Sequence, residues 1–204
     1  MPKLLQIHSS PNLGSSITRE LSDRFVKTWI ESHANVDVET LDLAVDEVPH
    51  FDPLIMQAAM AAGGELSPEM TERLAVSDRL IDQLEAAELL VIGVPMINFT
   101  IPSQLKAWFD NVMIAGRTFK YTAPGVSKGL LFGKKAFVVL ARGGDYTDGP
   151  AAAFDFQEPL LRTLLGFIGI FDVTFIRAEG LRQRPEDAAA IIGNAHAVIA
   201  RLAA

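Results

Sequence analysis

Three short stretches carry residue types that can hold a ligand. In the first, Ser9, Ser10, Ser15, Ser16 and Thr18 crowd hydroxyls around Pro11, Asn12 and Gly14, just before a helical pattern begins. Free N–H groups and the dipole at a helix start suit an anion, with Ser10, Ser16 and Thr18 as extra donors beside Ile17. The stretch lacks the Lys of a GxxxxGKS/T loop and the spacing of GxGxxG, so a monophosphate held by neutral donors fits better than a triphosphate or a dinucleotide. Turn formation and capping are the competing use of the same serines.

The second stretch is Pro95, Met96, Ile97, Asn98 and Phe99. Its apolar side chains can flank a flat ring system, and Asn98 offers both a donor and an acceptor to a heteroaromatic edge. Pro102 is expected to keep the loop extended and Ser103 to cap the next helix. A strand-to-helix turn without a ligand is the alternative. The third stretch is Ala141, Arg142, Gly143 and Gly144, with Tyr146 just beyond. Paired glycines let backbone N–H groups approach a ligand with no Cβ in the way. Its alternative is a Gly-Gly turn with Arg142 in solvent.

Each stretch follows an apolar run of the kind that forms a buried strand. Such runs occur at residues 3–8, 36–41, 89–94, 135–140 and 173–178. The third, fourth and fifth are too continuously apolar for a sheet with one wet face, which implies parallel strands covered on both faces. Helical periodicity fills the gaps. Ile17, Leu21, Phe25 and Trp29 recur every four residues, Leu74, Leu80, Ile81 and Leu84 form a second stripe, and further helices fit 103–113, 153–167 and 185–202. Ser67 before Pro68 and Glu69 reads as a capped helix start. Alternating strands and helices with right-handed crossovers give a doubly wound α/β sheet of five parallel strands, order 2-1-3-4-5, with helices on both faces. Residues 42–84 exceed one crossover and read as an edge insertion, least structured at 58–64. No linker divides residues 1–204, which are expected to form a single domain.

Composition narrows the chemistry. Of the 204 residues, 49% are hydrophobic and 21% charged, the balance of a folded globular protein, and the net charge of −7 disfavours nucleic acid and anionic membrane surfaces as partners. With no cysteine, thiolate metal sites and Cys nucleophiles are excluded. The four histidines lack metal-ligand spacing. The start of the chain lacks a secretory pattern, and 89–105 is interrupted by Pro95, Asn98, Pro102 and Gln104, so a cytoplasmic address is expected.

The mixture around Asn98 suits an isoalloxazine ring. Together, Pro95-Met96-Ile97-Asn98-Phe99, Ile101-Pro102-Ser103-Gln104-Leu105-Lys106, Arg117-Thr118-Phe119-Lys120-Tyr121-Thr122, Gly133-Lys134-Lys135, Arg142-Gly143-Gly144 and Leu165-Gly166-Phe167-Ile168-Gly169 give the resemblance. The chain resembles the FMN-dependent NADH-azoreductases, within the flavodoxin-like NAD(P)H quinone oxidoreductases, over nearly its whole length. The resemblance implies non-covalent FMN bound through Ser10, through Ser16, Ile17 and Thr18, through Pro95 to Phe99, and through Ala141 to Gly144. It implies NADH as donor, with NADPH as an alternative, and quinones and azo compounds as acceptors. It also implies a homodimer whose two subunits surround the flavin, with Phe119, Tyr121 and Tyr146 on the substrate side. Core packing or an interface is the competing role for Phe119 and Tyr121. Ile97 stands where many members carry Tyr, and Ala141 where many carry Ser or Thr, changes that bear on substrate preference.

Gly125-Val126-Ser127-Lys128-Gly129 matches the GxSxG pattern of serine hydrolases, but Pro124 precedes it and too little chain follows for the helix that a nucleophile elbow opens. The rival to an enzyme is a non-catalytic flavin-bearing electron carrier. Such carriers are usually shorter and more acidic than this chain. They also lack the added segment near Phe119 to Tyr121.

Overall fold

The computed structural model describes residues 1–60 and 64–204. Five strands form one parallel sheet: β1 (Lys3–His8), β2 (Asp37–Asp42), β3 (Leu89–Pro95), β6 (Lys135–Ala141) and β7 (Asp172–Ala178), in the order β2-β1-β3-β6-β7. Counted within the sheet, this is the order 2-1-3-4-5. The added labels belong to a hairpin outside it, β4 (Phe119–Ala123) and β5 (Val126–Gly129), which the sequence pattern does not signal. Gly125, at φ 74°, turns this hairpin, so the GxSxG stretch sits in a β-turn and strand rather than at an elbow.

Alternate residues of the central strands point to opposite faces, and each face has its own core. Leu5, Ile7, Ile92, Val94, Val138 and Leu140 pack with α3 (Pro68–Ala86), α4 (Ser103–Val112) and α5 (Gln157–Ile168) through Leu84, Trp108 and Leu165. Leu4, Val91, Phe137 and Val139 pack with α1 (Ile17–Ser32) and α6 (Ala188–Leu202) through Leu21, Phe25 and Ile199. All of these side chains are buried, each contributing roughly 1.5–3 kcal/mol through removal from water. One glycine sets how closely α1 approaches. A Cβ on Gly93 would lie 3.0 Å from the Thr18 carbonyl and 3.3 Å from Ser22 Oγ, so the bare backbone of β3 lets the first turn of α1 settle beside it.

Several boundaries differ from the sequence expectation. Residues 150–154 form a 3-10 turn, and α5 starts at Gln157 because the Asp155 carboxylate accepts the N–H groups of Gln157 and Glu158. A second 3-10 turn, Pro185–Asp187, precedes α6. Ser103 is the first residue of α4 rather than its cap; Pro102 occupies the cap position and supplies no side-chain bond. Ser67 does cap α3, accepting the Met70 N–H at 3.2 Å. In the edge insertion, α2 (Pro53–Met60) already covers the start of the stretch expected to be irregular, while 61–63 lie outside the described residues.

Candidate functional site

Strands β1, β3 and β6 lie side by side, so the loops leaving their carboxyl ends must meet. Register makes this concrete: His8 pairs with Gly93, and Pro95 with Ala141. Two bonds tie the first loop to β3, since the N–H and Oγ of Ser9 both donate to the Gly93 carbonyl, at 3.2 and 2.7 Å. The second and third loops are joined by the Met96 N–H donating to the Ala141 carbonyl at 3.1 Å.

The first loop is built as a cradle. Asn12 folds it internally, its Oδ1 accepting from the N–H groups of Gly14 and Ser15, while Ser10 Oγ accepts the Asn12 N–H. Ser16 caps α1, its Oγ accepting the Arg19 N–H and lying 3.1 Å from Thr18 Oγ1. The N–H groups of Ser10, Ser16, Ile17 and Thr18 find no acceptor among the described residues. An unpaired cluster of this kind at a helix start is suited to an anion.

Ile97 and Thr100 exchange both backbone hydrogen bonds, at 2.9 and 3.1 Å, closing a two-residue turn over Asn98 and Phe99. Both central residues are left-handed, with φ 45° at Asn98 and 70° at Phe99. Asparagine tolerates that region, but for phenylalanine it costs about 1–2 kcal/mol. The loop is therefore a tight, strained turn rather than the extended segment expected ahead of Pro102. It leaves Asn98 exposed and Phe99 47% exposed at the rim. Phe99 meets Tyr146 edge-on at 6.4 Å and Phe154 at 5.8 Å between ring centroids, forming an aromatic wall beside the third loop.

In that third loop the carbonyls of Arg142, Gly143 and Gly144 accept N–H groups from Leu181, Arg182 and Gln183, and Gly180. The amides of Gly143 and Gly144 have no acceptor among the described residues. Arg142 is not in solvent. It is 2% exposed, with Nε donating to Gln157 Oε1 at 2.9 Å and Nη1 to Glu179 Oε1 at 2.8 Å and Asp155 Oδ2 at 2.9 Å. Gln157 in turn donates to the Val94 carbonyl at 3.2 Å. This polar hub is illegible in the sequence because the three partners lie 13 to 37 positions away.

Arg19, another residue the sequence reading passes over, braces the cradle from behind. Its guanidinium pairs with both carboxylate oxygens of Asp42 and donates to the Ser10 carbonyl at 2.7 Å. The hydrogen bonds from Arg19 hold the Asp42 carboxyl below its ordinary pKa. Burial pushes the imidazole of His8 down, the nearby Asp23 opposing. His8 lies beneath the loop, 3.4 Å from Ser22 Oγ.

Phe119 and Tyr121 are not brought to these loops within one chain. Helix α5 starts at the carboxyl end of the sheet, where Gln157 meets Val94, and spans about 18 Å to Ile168. There the Ile168 carbonyl accepts the N–H groups of Leu130 and Leu131, which places the hairpin at the amino end. Phe119 is 7% exposed and packs on Phe167, 4.7 Å between centroids, while Tyr121 is 67% exposed. Of the described residues, no cluster of His, Asp or Glu could hold a metal ion, and no helix is long and apolar enough to cross a membrane.

Comparison with known proteins agrees with this fold. A family model described as a flavodoxin-like fold matches residues 2–202. The chain is 47% identical to an FMN-dependent NADH:quinone oxidoreductase of Hyphomonas neptunium, covering 100% of this chain and 96% of that one. It is 44% identical to a Shigella flexneri protein of the same description, covering 98% and 97%. Among solved structures, an azoreductase from Bacillus anthracis superposes with a TM-score of 0.92 at 31% identity, covering 100% and 99%. An FMN-dependent NADH-azoreductase from the same species, in complex with FMN, gives 0.88 at 31% identity over the whole of both chains. With relatives this similar along its full length, the chain belongs to the flavodoxin-like family of FMN-dependent NADH:quinone oxidoreductases and azoreductases.

Proposed function

We propose that the protein is an FMN-dependent oxidoreductase that uses NADH, or NADPH, to reduce quinones and aromatic azo compounds. The observation that carries this reading is the pairing of two sets of unpartnered N–H groups, at Ser10 to Thr18 and at Gly143 to Gly144, across the strained Asn98–Phe99 turn. The donor set suits FMN: a neutral cradle for one phosphate, an apolar and amide-bearing loop for a ring, and amides for its electron-rich edge. When bound, FMN supplies the two-electron chemistry that links a nicotinamide donor to the acceptor.

The chain's own residues then bind and orient. Ser10, Ser16, Ile17 and Thr18 hold the phosphate with amides and hydroxyls, favoured by the helix dipole. Pro95, Met96, Ile97 and Phe99 flank the ring, and the Asn98 amide donates to and accepts from its edge. Gly143 and Gly144 aim two amides where negative charge accumulates on reduction, a fixed electrostatic aid that needs no reorganisation. Phe99 and Tyr146 wall the opening, and no side chain acts as a nucleophile. A quinone needs one round of donor oxidation, and cleavage of an azo bond to two amines needs two.

The site is completed by a second copy of the chain. Tyr121, exposed at the amino end of its own sheet, can line an opening only on a partner, while Phe119 packs against it and on Phe167 as its support. Apolar surface for that partner remains at Phe154, Phe156 and Phe171, all more than half exposed, whereas Leu161, Leu164 and Leu165 are spent in the core. Sedimentation at micromolar concentration is expected to give a dimer; an active monomer would contradict the shared site.

With one opening and no second nucleotide-binding unit, donor and acceptor exclude each other. Double-reciprocal plots for NADH are therefore expected to stay parallel as the quinone concentration changes. Intersecting plots would require both substrates bound at once. Oxidation of NADH by a quinone without any partner protein separates the enzyme from an electron carrier, which would need a docking reductase.

A further inference from the structure

Among the described residues Arg142 is the only buried lysine or arginine, and its guanidinium donates to Gln157, Glu179 and Asp155. Each of its arms ends on a different segment around the site. Through Gln157 it reaches the Val94 carbonyl, one residue before Pro95. Through Asp155 it reaches the first turn of α5, whose approach is also fixed by the Phe156 N–H donating to the Phe99 carbonyl at 3.2 Å. Through Glu179 it reaches the Tyr146 N–H at 3.3 Å and the Thr147 hydroxyl. The planar fork spreads its donors over Nε, Nη1 and Nη2 to meet these three partners, whereas the three N–H groups of a lysine radiate from a single nitrogen and do not match that spread.

We propose that Arg142 is a positioning residue: its buried guanidinium fixes the aim of the Gly143 and Gly144 amides against the Asn98 turn, and thereby sets the preference of the site for reduced over oxidised FMN. The inference rests on the FMN reading given above. The carbonyls of residues 142–144 are held from behind by 180–183, which fixes where the loop sits. The hub then fixes the loop's register against the Pro95 to Phe99 turn, because both loops are anchored to the same guanidinium. Reduced FMN bears negative charge at its pyrimidine edge. Hydrogen bonds to a charged acceptor are roughly twice as strong as neutral ones, so a misdirected amide pair weakens the reduced form more than the oxidised form.

The test uses Arg142→Lys, which keeps the buried charge, and Gln157→Met, a neutral change that severs only the arm to Val94. In the FMN-free protein, amide hydrogen exchange is expected to quicken over 96–100 and 142–147, with β1 and β3 unchanged. With FMN, the reduced-state affinity of Arg142→Lys should fall about fivefold more than the oxidised-state affinity, which lowers the two-electron midpoint potential by ~20 mV. Gln157→Met should shift both readouts in the same direction and less, and it carries the test if Arg142→Lys does not fold. Unchanged exchange in the two loops, or equal weakening of both oxidation states, would overturn the proposal and leave Arg142 a structural strut. If the parent protein takes up no FMN, the functional reading fails, while the exchange comparison still decides whether Arg142 positions the loops.

Discussion

The two ends of the sheet are built on opposite rules. At the amino end the hairpin closes on α5 with almost no space to spare: a Cβ on Gly129 would lie 2.2 Å from the Gly169 nitrogen, and both Leu130 and Leu131 donate to Ile168. At the carboxyl end, backbone donors of two loops are left without acceptors, a phenylalanine is held left-handed, and a buried arginine links several segments. Close backbone packing marks one end, and unpartnered backbone donors mark the other. Strain and unpaired donors gathered in one place are the physical mark of a binding site.

This contrast can be broken by substitutions at each end. The largest effect is expected at the amino end. In Gly129→Ala the clash is with backbone, which cannot rotate away, so the hairpin must move and stability should fall by about 3 kcal/mol or more. For a chain of this size that is a drop of roughly 6–12 °C in melting temperature. A melting temperature equal to the parent's would show that the close approach is not needed.

At the carboxyl end the same kind of change should act on binding instead. Asn98→Gly suits the left-handed backbone at least as well as asparagine, so folding stability should change by only a few tenths of a kcal/mol. Loss of the amide leaves ring polar atoms unpaired at about 1–3 kcal/mol, a fall of roughly 5- to 150-fold in FMN affinity measured by flavin fluorescence. Parent-like affinity would make the Asn98 side chain a turn residue and nothing more.

Much of this architecture is legible in the sequence. The continuous apolar runs of β3 and β6 announce buried parallel strands, and the crossover rules then order the sheet. The loop positions follow from that order, since β1, β3 and β6 are neighbours and the loops that carry Ser10, Asn98 and Gly143 leave their carboxyl ends. The hairpin is not legible, because Lys120, Tyr121, Thr122 and Ala123 are all exposed and show no alternation for a core to impose. Nor is the left-handed Phe99, since a local rule assigns that backbone to glycine or asparagine and tertiary contacts overrule it here. The pairs of Arg19 with Asp42 and of Arg142 with Glu179 depend on register between distant elements, which residue spacing does not encode.

The smallest expected effect sharpens the role of Arg19. Asp42 has its pKa depressed in the folded protein by the hydrogen bonds from Arg19, so its contribution is present above the unfolded carboxylate value near about 4 and is lost as pH falls through the folded value. Asp42→Asn should flatten the acid side of the stability curve in denaturant titrations between neutral pH and pH ~3, and leave the alkaline side as it is. An unchanged acid limb would show that the brace behind Ser10 does not depend on the Asp42 charge.

The cradle at Ser10, Ser16, Ile17 and Thr18 is the centre of the account, and flavin titration with and without the phosphate examines it directly. Purified protein freed of cofactor should bind one FMN per chain, while riboflavin, which differs only by lacking the phosphate, should bind at least about tenfold more weakly. Equal affinity for riboflavin and FMN, or no uptake of FMN at all, would contradict the assignment of these donors to a phosphate.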